Sequence, residues 1–273
     1  MTALPVLASV LLAAEPVAFV ICAPGYPGST AEAQPAMDAF AAALAARAGW
    51  PAGSIVGAYF ESGKAGAERL AKPDAAVAML SLPFFLQEAG HAKLQPRLGA
   101  VQAGAGATEV WSLVAKKGRV TSPASLADWK LVSLAGYAPA FVRGTALGAW
   151  GKLPASVEVV QSSQVLSWLR KAAAGENVAV LLDGVQGKAL ATLPFASDLE
   201  VVVRSAPVPS GVVATVGKRL PADRWAALDK ALRSLRESPD GAAALEGIRL
   251  ESFVPLDEAA FAAARKSYGA ADR

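Results

Sequence analysis

The first long hydrophobic run after the N-terminal segment predicts a buried strand followed by a helix. Residues 17–22 are continuously apolar, and the chain then enters a turn-forming stretch, Ala-Pro-Gly-Tyr-Pro-Gly. A short unbroken apolar run before such a turn is typical of a parallel strand buried on both faces. Ser29 or Thr30 then offers an N-cap. Because Glu32 falls in the first turn, we expect a helix that continues to about Arg47.

The same succession of strands and helices continues along the chain. The pattern predicts further strands at 54–60, 75–80, 130–134, 157–160, 178–182, 199–204 and 211–216. It predicts helices at 65–70, 140–148, 163–174, 185–190, 222–237, 239–245 and 258–268. An extended strand at 109–115 interrupts the succession. Strands that alternate with helices indicate crossover units, so the predicted fold class is α/β, with mostly parallel sheets flanked by helices.

The N-terminal segment predicts export. Residues 1–14 form an apolar stretch that ends in small residues, as in a signal peptide, and that is too short to span a bilayer. No Lys or Arg precedes it, and Leu12-Ala13-Ala14 departs from the small-x-small cleavage pattern. A mis-assigned start or a buried first strand is therefore the alternative. Export would place the protein in the periplasm.

Composition narrows the function classes. The 273-residue chain carries 26 basic and 23 acidic residues, and no run of Lys or Arg interleaves with aromatic residues. The sequence therefore lacks the clustered positive charge that a nucleic-acid-binding surface requires. The single cysteine, Cys22, and the single histidine, His91, exclude a Cys/His metal site and an intramolecular disulfide. Hydrophobic residues make up 53% of the chain, which is ample for a buried core.

The chain contains none of the catalytic motifs that we sought. No G-x-S-x-G elbow occurs, and Gly63-Lys64 lacks the upstream glycine of a phosphate loop. The stretch 104–106, Gly-Ala-Gly, is too short for a dinucleotide loop and is interpreted as a linker. We therefore predict a protein that is not an enzyme, with no catalytic residues, no cofactor and no metal site.

Four stretches, taken in order, resemble the phosphate/phosphite/phosphonate-type substrate-binding proteins of ABC transporters. They are 72–79, 110–132, 172–183 and the proline-rich return at Pro207 and Pro209. Together they extend over about 17–268, although no single motif is specific. The resemblance implies the two-lobed type II periplasmic-binding-protein fold, in which two crossing strands form the hinge. It divides the chain into a first lobe, 15–108 and 210–273, and a second lobe, 109–209.

The same resemblance places a ligand site at the strand ends between the lobes. It implies that the first lobe contributes the loops around Tyr26 and from Ser81 to Phe84, and that the crossing strand contributes Glu109 and Trp111. The second lobe would contribute Gly136, Tyr137, Phe141 and Asp183. For the two carboxylates the alternative is a solvated charge or an ion pair with Arg143 or Lys188, and for Phe84 it is a place in the core. Other expected partners are a membrane permease or transport component, and we expect a monomer.

The predicted ligand differs from that of the family. Where phosphonate binders have a hydroxyl-rich turn, this chain has aromatic and proline residues at 133–141. Glu109 and Asp183 would repel a phosphonate, so we expect a neutral or cationic ligand with substantial apolar surface. The pairing of Glu109, Trp111 and Asp183 resembles a branch of the family that takes part in bacterial sterol transport. A phosphonate-type transport protein and a sensory ligand-binding protein remain the alternatives.

Overall fold

The computed structural model describes residues 15–26 and 28–271. The predicted signal peptide, 1–14, and Pro27 of the first predicted cleft loop lie outside the described residues. The strands are β1 (Val17–Cys22), β2 (Ile55–Phe60), β3 (Ala75–Ser81), β4 (Leu94–Gln102), β5 (Thr108–Glu109), β6 (Ser112–Lys116), β7 (Lys130–Ser133), β8 (Glu158–Gln161), β9 (Val178–Leu182), β10 (Leu199–Arg204), β11 (Val208–Pro209), β12 (Gly211–Val216) and β13 (Leu250–Pro255). The α-helices are α1 (Thr30–Arg47), α2 (Gly63–Leu70), α3 (Leu82–Glu88), α4 (Val165–Ala174), α5 (Gly184–Ala189), α6 (Ala222–Ser234), α7 (Pro239–Gly247) and α8 (Glu258–Ala271).

The described residues place six strands in the sheet of the first lobe, in the order β13-β4-β12-β3-β1-β2. β1 pairs in parallel with β2 and β3, and all its residues are buried, which explains why its sequence is apolar without alternation. β12 runs antiparallel to β3 and β4, and β13 runs antiparallel to β4. The sheet is therefore parallel where strands alternate with helices and antiparallel where the chain returns.

Within residues 28–271, five strands form the sheet of the second lobe, in the order β10-β6-β9-β7-β8. β7 pairs in parallel with β8 and β9, whereas β6 is antiparallel to β9 and β10. Between the two sheets, β5 and β11 form a short antiparallel pair in which Glu109 lies opposite Val208. These are the two crossing strands that the resemblance predicted, and they place Glu109 at the junction of the lobes.

Helix α1 begins where the sequence predicted it. The Ser29 hydroxyl accepts a hydrogen bond from the Glu32 backbone N–H, and the Glu32 carboxylate accepts one from the Ser29 backbone N–H at 2.9 Å. This capping box fixes the first turn. Farther along, Phe40 packs edge-on against Phe19 of β1, with ring centroids 5.1 Å apart. The helix is thus held against the sheet, and the loop between β1 and α1 lies at the carboxyl end of β1.

Helix α8 connects the two lobes through packing. Its Phe261 ring contacts the Phe85 ring of α3 edge-on, with centroids 5.4 Å apart. Its Ala264 carbonyl accepts a hydrogen bond from the Thr145 hydroxyl of the second lobe at 3.2 Å. Gly144 permits this approach, because a Cβ atom there would overlap the backbone of α8 and lie 2.7 Å from its Ala271 side chain. The division of the chain at 109 and 209 remains a prediction, and α8 contacts elements on both sides of it.

Two strands were missing from the sequence prediction. β4 contains Pro96, and a proline argues against an interior strand. The structure accommodates it because Pro96 lies opposite Ala214, where the register with β12 shifts, so the missing N–H falls at an irregularity of the ladder. In β13 the buried residues Leu250 and Phe253 lie three positions apart, because the register with β4 shifts between Leu250 and Ser252, so the sequence lacks the alternation that indicates a strand.

Three local predictions were wrong in detail. The predicted cleft loop after Ser81 is helix α3, which starts with Pro83 in its first turn, a recognised helix-start signal. The helix predicted at 140–148 is a π-helix over Phe141–Ala146. The single strand predicted at 109–115 is divided into β5 and β6, because the chain leaves one pairing partner and joins another at this point.

Candidate functional site

Strand ends from both lobes meet between the two sheets. In the first lobe, Tyr26 follows β1 and Ser81 ends β3; in the second lobe, Tyr137 follows β7 and Asp183 follows β9. The carboxyl ends of parallel strands lie at one edge of a sheet, and here the two edges face each other. The four side chains make contacts across the gap.

A cavity of about 10 Å³ remains between the lobes. Its walls are formed by Pro24, Tyr26, Ser81, Pro83, Glu109, Trp111, Leu134, Ala135 and Tyr137. A space of this size is close to the smallest that holds one water molecule. The two lobes are therefore closed on each other, with polar and apolar groups both facing the remaining space.

Two hydrogen bonds connect the lobes at the cavity. The Tyr26 hydroxyl donates to Asp183 Oδ2 at 2.9 Å, and the hydroxyls of Ser81 and Tyr137 lie 3.1 Å apart. Burial, together with the nearby Asp183 charge, raises the pKa of Tyr26, so its hydroxyl keeps the proton that it donates. Gly25 adopts φ +86°, and a Cβ atom there would lie 3.1 Å from the Leu134 carbonyl oxygen. The backbone of one lobe thus approaches the other closely.

Both oxygens of Asp183 have a structural role. Oδ1 accepts a hydrogen bond from the Gln186 backbone N–H at 2.8 Å, which caps helix α5, and Oδ2 accepts from Tyr26. Burial is the largest influence on this carboxyl and raises its pKa, while the hydrogen bonds from Gln186 and Tyr26 act in the opposite direction. Asp183 therefore helps to fix the closed arrangement, and each of its oxygens already has a donor.

Glu109 is the acidic group that faces the cavity with an oxygen still available. Its side chain is 6% exposed, and Oε2 accepts a hydrogen bond from the Gly184 backbone N–H at 2.9 Å. Burial, and then the charge of Asp183, raise the pKa of Glu109 to about 8, although the Gly184 N–H partly offsets this. Near neutral pH the Glu109 carboxyl is therefore largely protonated and can both donate and accept hydrogen bonds.

The indole N–H of Trp111 lacks a hydrogen-bond partner among the described residues, although the side chain is 2% exposed. It lies near enough to the Glu109 carboxyl to lower its pKa, but not in hydrogen-bonding geometry with it. An unsatisfied buried donor costs about 1–3 kcal/mol. Since Trp111 lines the cavity, a small acceptor between Trp111 and Glu109 would satisfy the indole donor.

The structure brings together most of the predicted site residues. Tyr26, Ser81, Glu109, Trp111 and Tyr137 line the cavity, and Asp183 is joined to it through Tyr26. Pro24 and Leu134 also line it and were not predicted. The signal that could have identified them is their position directly after β1 and β7, at the strand ends where the site was expected.

Besides Asp183, three predicted site residues do not line the cavity. Phe84 is 1% exposed and belongs to the core, although its ring contacts that of Tyr137 edge-on at 6.3 Å. Phe141 is fully buried and packs against Trp111 from behind the wall, with centroids 5.1 Å apart. Gly136 is needed for packing, because a Cβ atom there would overlap the backbone of Val160. These side chains support the site without facing it.

The alternative structural partners of the two carboxylates are engaged elsewhere. The Arg143 guanidinium donates to the carbonyls of Pro154 and Val157, and the Lys188 ammonium donates to those of Gly104 and Ala105. In the part of the chain that the structure describes, no cluster of metal-ligating side chains is present. Over the same residues, the helices fall short of the length and apolar character that a membrane span requires.

Comparisons with known proteins identify the architecture. No protein-family model and no curated protein sequence matches this chain. Among solved structures, the protein XAC2383 from Xanthomonas citri, bound to chloride, is similar at 16% identity and a TM-score of 0.72, over 94% of this chain and 98% of that chain. A binding-protein component of an ABC phosphonate transporter from Pseudomonas aeruginosa is similar at 13% identity and a TM-score of 0.66, over 95% and 88% of the two chains.

PhnD1 from Prochlorococcus marinus, in complex with methylphosphonate, is similar at 12% identity and a TM-score of 0.60, over 94% of this chain and 97% of that one. The chain has the periplasmic-binding-protein fold. At these identities the likeness establishes the α/β architecture with two sheets and flanking helices, as the sequence predicted. It leaves the ligand to be argued from the cavity itself.

Proposed function

We propose that this protein is a periplasmic solute-binding protein that captures a small molecule between its two lobes for a transport system. The observation that carries the proposal is the cavity in which strand ends of both lobes meet around Glu109 and Trp111. The bridging bonds from Tyr26 and between Ser81 and Tyr137 are the kind of contact that a hinged pair of lobes can break and re-form. The similarity to solute-binding proteins of ABC transporters supports this role and a membrane permease as the partner.

The polar groups at the cavity favour a ligand head with a hydroxyl or a primary ammonium group. Glu109 has a free acceptor position, Trp111 has a free donor, and no Lys, Arg or His side chain lines the wall. A phosphonate would bring negative charge close to the Asp183 carboxyl with no cation in the wall to balance it. A hydroxyl can donate to Glu109 and accept from Trp111, whereas an ammonium group can donate to Glu109 and to the carbonyl and hydroxyl oxygens nearby.

The body of the ligand is proposed to be compact and apolar. Pro24, Pro83 and Leu134 provide the apolar wall, since Phe84 and Phe141 lie in the core. A drug-sized ligand occupies a pocket of about 300–1,000 Å³, so a lipid or sterol-like molecule requires the lobes to separate well beyond the closed arrangement. A sterol-like molecule is therefore the larger kind of ligand in the proposed class. Its binding would require the lobes to separate and the hydrogen bonds that bridge them to break.

Thermal-shift titration of the full chain tests the ligand class. We expect an alkyl alcohol, an alkylamine or a sterol to raise the melting temperature by several degrees at saturating concentration, and methylphosphonate to leave it unchanged. A shift with methylphosphonate alone would overturn this ligand class and leave a phosphonate-type transport protein. Replacing Glu109 with Leu should abolish the shift, whereas Lys152→Met, an exposed change in the second lobe, should preserve it.

Two further observations separate the two possible head groups. Because Glu109 holds a proton below about pH 8, an ammonium ligand has to displace that proton, and its affinity should rise as pH is raised toward 8. A hydroxyl ligand should bind with little dependence on pH over the same range. Glu109→Gln keeps an acceptor but cannot become charged, so it should weaken ammonium binding strongly and hydroxyl binding only slightly.

A further inference from the structure

A second concave site lies at the opposite end of the first lobe from the cleft. It is a groove of about 370 Å³ between the end of α2, the segment after α3 and the turn after β12. β3 runs from Ala75, beside this groove, to Ser81 at the cleft cavity. Six steps along a strand cover about 20 Å, so the groove is separate from the cleft. A small molecule could occupy one site without contacting the other.

The groove is rich in positive charge. The Arg219 guanidinium is fixed by three backbone carbonyls, those of Leu70, Lys72 and Ala75, at 2.7, 2.8 and 2.9 Å, and none of these hydrogen-bond partners carries a charge. Lys93 and Lys218 also line the groove and are exposed. Neither forms an ion pair within the described ranges 15–26 and 28–271.

The acidic groups near the groove have partners of their own. Glu88 itself lines the groove, 3.9 Å from the His91 ring nitrogen, which can offset its charge only when protonated; with Lys93, Lys218 and Arg219 the lining keeps a net positive charge. Asp74, which is close enough to Arg219 to be influenced by it, is paired with Arg69 at 2.7 Å. The Lys93 backbone is held in the left-handed region at φ +53°, with its carbonyl accepting from the Gly217 N–H at 3.0 Å. The two loops that carry the lysines are thereby joined.

The floor of the groove is apolar. Leu70 is 1% exposed, and Ala67 and Ala92 are partly buried and pack against the main hydrophobic cluster. The volume falls within the range of small-molecule sites, which combine an apolar surface with a few polar groups. Positive side chains beside an apolar floor suit a molecule with a negative head and a short hydrocarbon chain.

We propose that this groove binds one single-chain anionic amphiphile, with its phosphate or carboxylate head at Lys93 and Lys218 and its chain over Ala67 and Ala92. The same chemistry occurs in a free alkyl phosphate or fatty acid and in the head of an anionic lipid. The site does not depend on the function proposed for the cleft. It gives the first lobe a binding surface lined by positive side chains, whereas the lining of the cleft cavity includes no Lys, Arg or His.

Calorimetric titration of the full chain with octyl phosphate, below its micelle concentration, tests the proposal. We expect saturable one-to-one binding, and weaker binding of inorganic phosphate, which lacks the chain. Octylammonium has the opposite charge and belongs to the ligand class proposed for the cleft, so it should not compete with octyl phosphate for the groove. Lys93→Glu and Lys218→Glu should each weaken octyl phosphate binding by about tenfold. Lys152→Glu makes the same charge change at an exposed position of the second lobe and should leave the affinity unchanged. Thermal unfolding of each variant verifies that it is folded.

Three outcomes would overturn the proposal: no saturable heat, an equal loss in Lys152→Glu, or binding of inorganic phosphate as tight as that of octyl phosphate. Glu109→Leu, which is expected to abolish binding at the cleft, separates this site from it, because loss of octyl phosphate binding in that variant would place the ligand in the cleft instead. Vesicles of phosphatidylcholine with and without phosphatidylglycerol distinguish the sources. If the protein sediments with the anionic vesicles and Lys218→Glu abolishes this, the site binds a lipid head group. If the protein binds octyl phosphate but not the vesicles, the site binds a free amphiphile.

Discussion

Two of the contacts between the lobes are of opposite character. At the cleft, the contacts are hydrogen bonds between Tyr26 and Asp183 and between Ser81 and Tyr137, beside a cavity of about 10 Å³. At helix α8, the contacts are an edge-on pair of phenylalanine rings and a helix packed against a glycine. The hydrogen bonds can be exchanged for bonds to water or ligand when the lobes separate, but the apolar contacts have no such replacement.

The difference indicates which contact opens. Exchanging a hydrogen bond within the protein for hydrogen bonds to water costs about 0.5–1.5 kcal/mol net, whereas exposing a buried phenylalanine side chain to water costs about 1.5–3 kcal/mol. We therefore expect the lobes to separate at the cleft while α8 keeps its contacts with both lobes. The following substitutions test that distinction, in order of the size of the expected effect.

Phe261→Ala should have the largest effect on stability. The ring is 3% exposed and packs against Phe85, so its removal leaves a cavity at the apolar junction. We expect the free energy of unfolding to fall by about 3–5 kcal/mol, measured by chemical denaturation. Val185→Ala, which truncates an exposed apolar side chain, is the control and should change it by about 0.5 kcal/mol or less. A loss in Phe261→Ala no larger than the control would show that α8 is not a fixed contact.

Glu109→Gln should remove a pH dependence on the cleft side. Since burial raises the pKa of Glu109 to about 8, the folded protein holds a proton that the unfolded chain releases near its ordinary pKa of 4.5. The contribution to stability is therefore complete below about pH 4.5 and is lost as pH rises to about 8. We expect a decrease of at most about 5 kcal/mol across this window in the parent protein, since each pKa unit corresponds to about 1.4 kcal/mol, measured by denaturation at several pH values.

In Glu109→Gln this decrease should be absent or much smaller, because glutamine does not titrate. Asp183 also has a raised pKa and contributes in the same direction, so a residual slope is expected in the variant. A slope unchanged from that of the parent protein would mean that Glu109 is not held in its protonated form at the cavity.

Tyr26→Phe should loosen the cleft at a smaller cost in stability. It removes the bond to Asp183 Oδ2, while the cap from Gln186 to Oδ1 remains. We expect a loss of about 1–2 kcal/mol and an increase in the radius of gyration measured by small-angle X-ray scattering. Tyr59→Phe removes a hydroxyl from β2 and is the matched control. If Tyr26→Phe stays as compact as Tyr59→Phe, the hydrogen bond does not hold the lobes together.

Lys188→Met should have the smallest effect. Its ammonium group donates to the carbonyls of Gly104 and Ala105 at an exposed position between the lobes. Water can replace those hydrogen bonds, so we expect a change in the free energy of unfolding of about 0.5 kcal/mol or less. A loss as large as that of Tyr26→Phe would mean that this polar contact stabilises the protein as much as the hydrogen bond at the cleft.

Much of the α/β framework was predictable because local signals and burial agree. β1 is apolar throughout because both its faces are covered, and α1 begins at a capping box that is visible as Ser29 and Glu32. The antiparallel strand β4 was not predictable, since Pro96 opposes a strand assignment unless the register shift in β12 is known. That shift is a property of the sheet and not of the local sequence.

The site was partly predictable for a similar reason. Tyr26, Ser81 and Asp183 follow strand ends, and the fold fixes where such positions meet. Phe84 and Phe141 have the same aromatic character as Trp111, but only tertiary packing decides which ring faces a cavity. The double use of Asp183, as helix cap and as partner of Tyr26, likewise depends on the approach of the second lobe.

The central claim is that Glu109 and Trp111 hold the polar head of a small ligand between two hinged lobes. Native mass spectrometry of the protein, purified gently from the compartment in which it acts, tests this most directly, with the released compound identified after solvent extraction. We predict a bound molecule with a hydroxyl or primary amine group, present in the parent protein and lost in Glu109→Leu. A phosphonate in the parent protein, or equal occupancy in Glu109→Leu, would contradict the account.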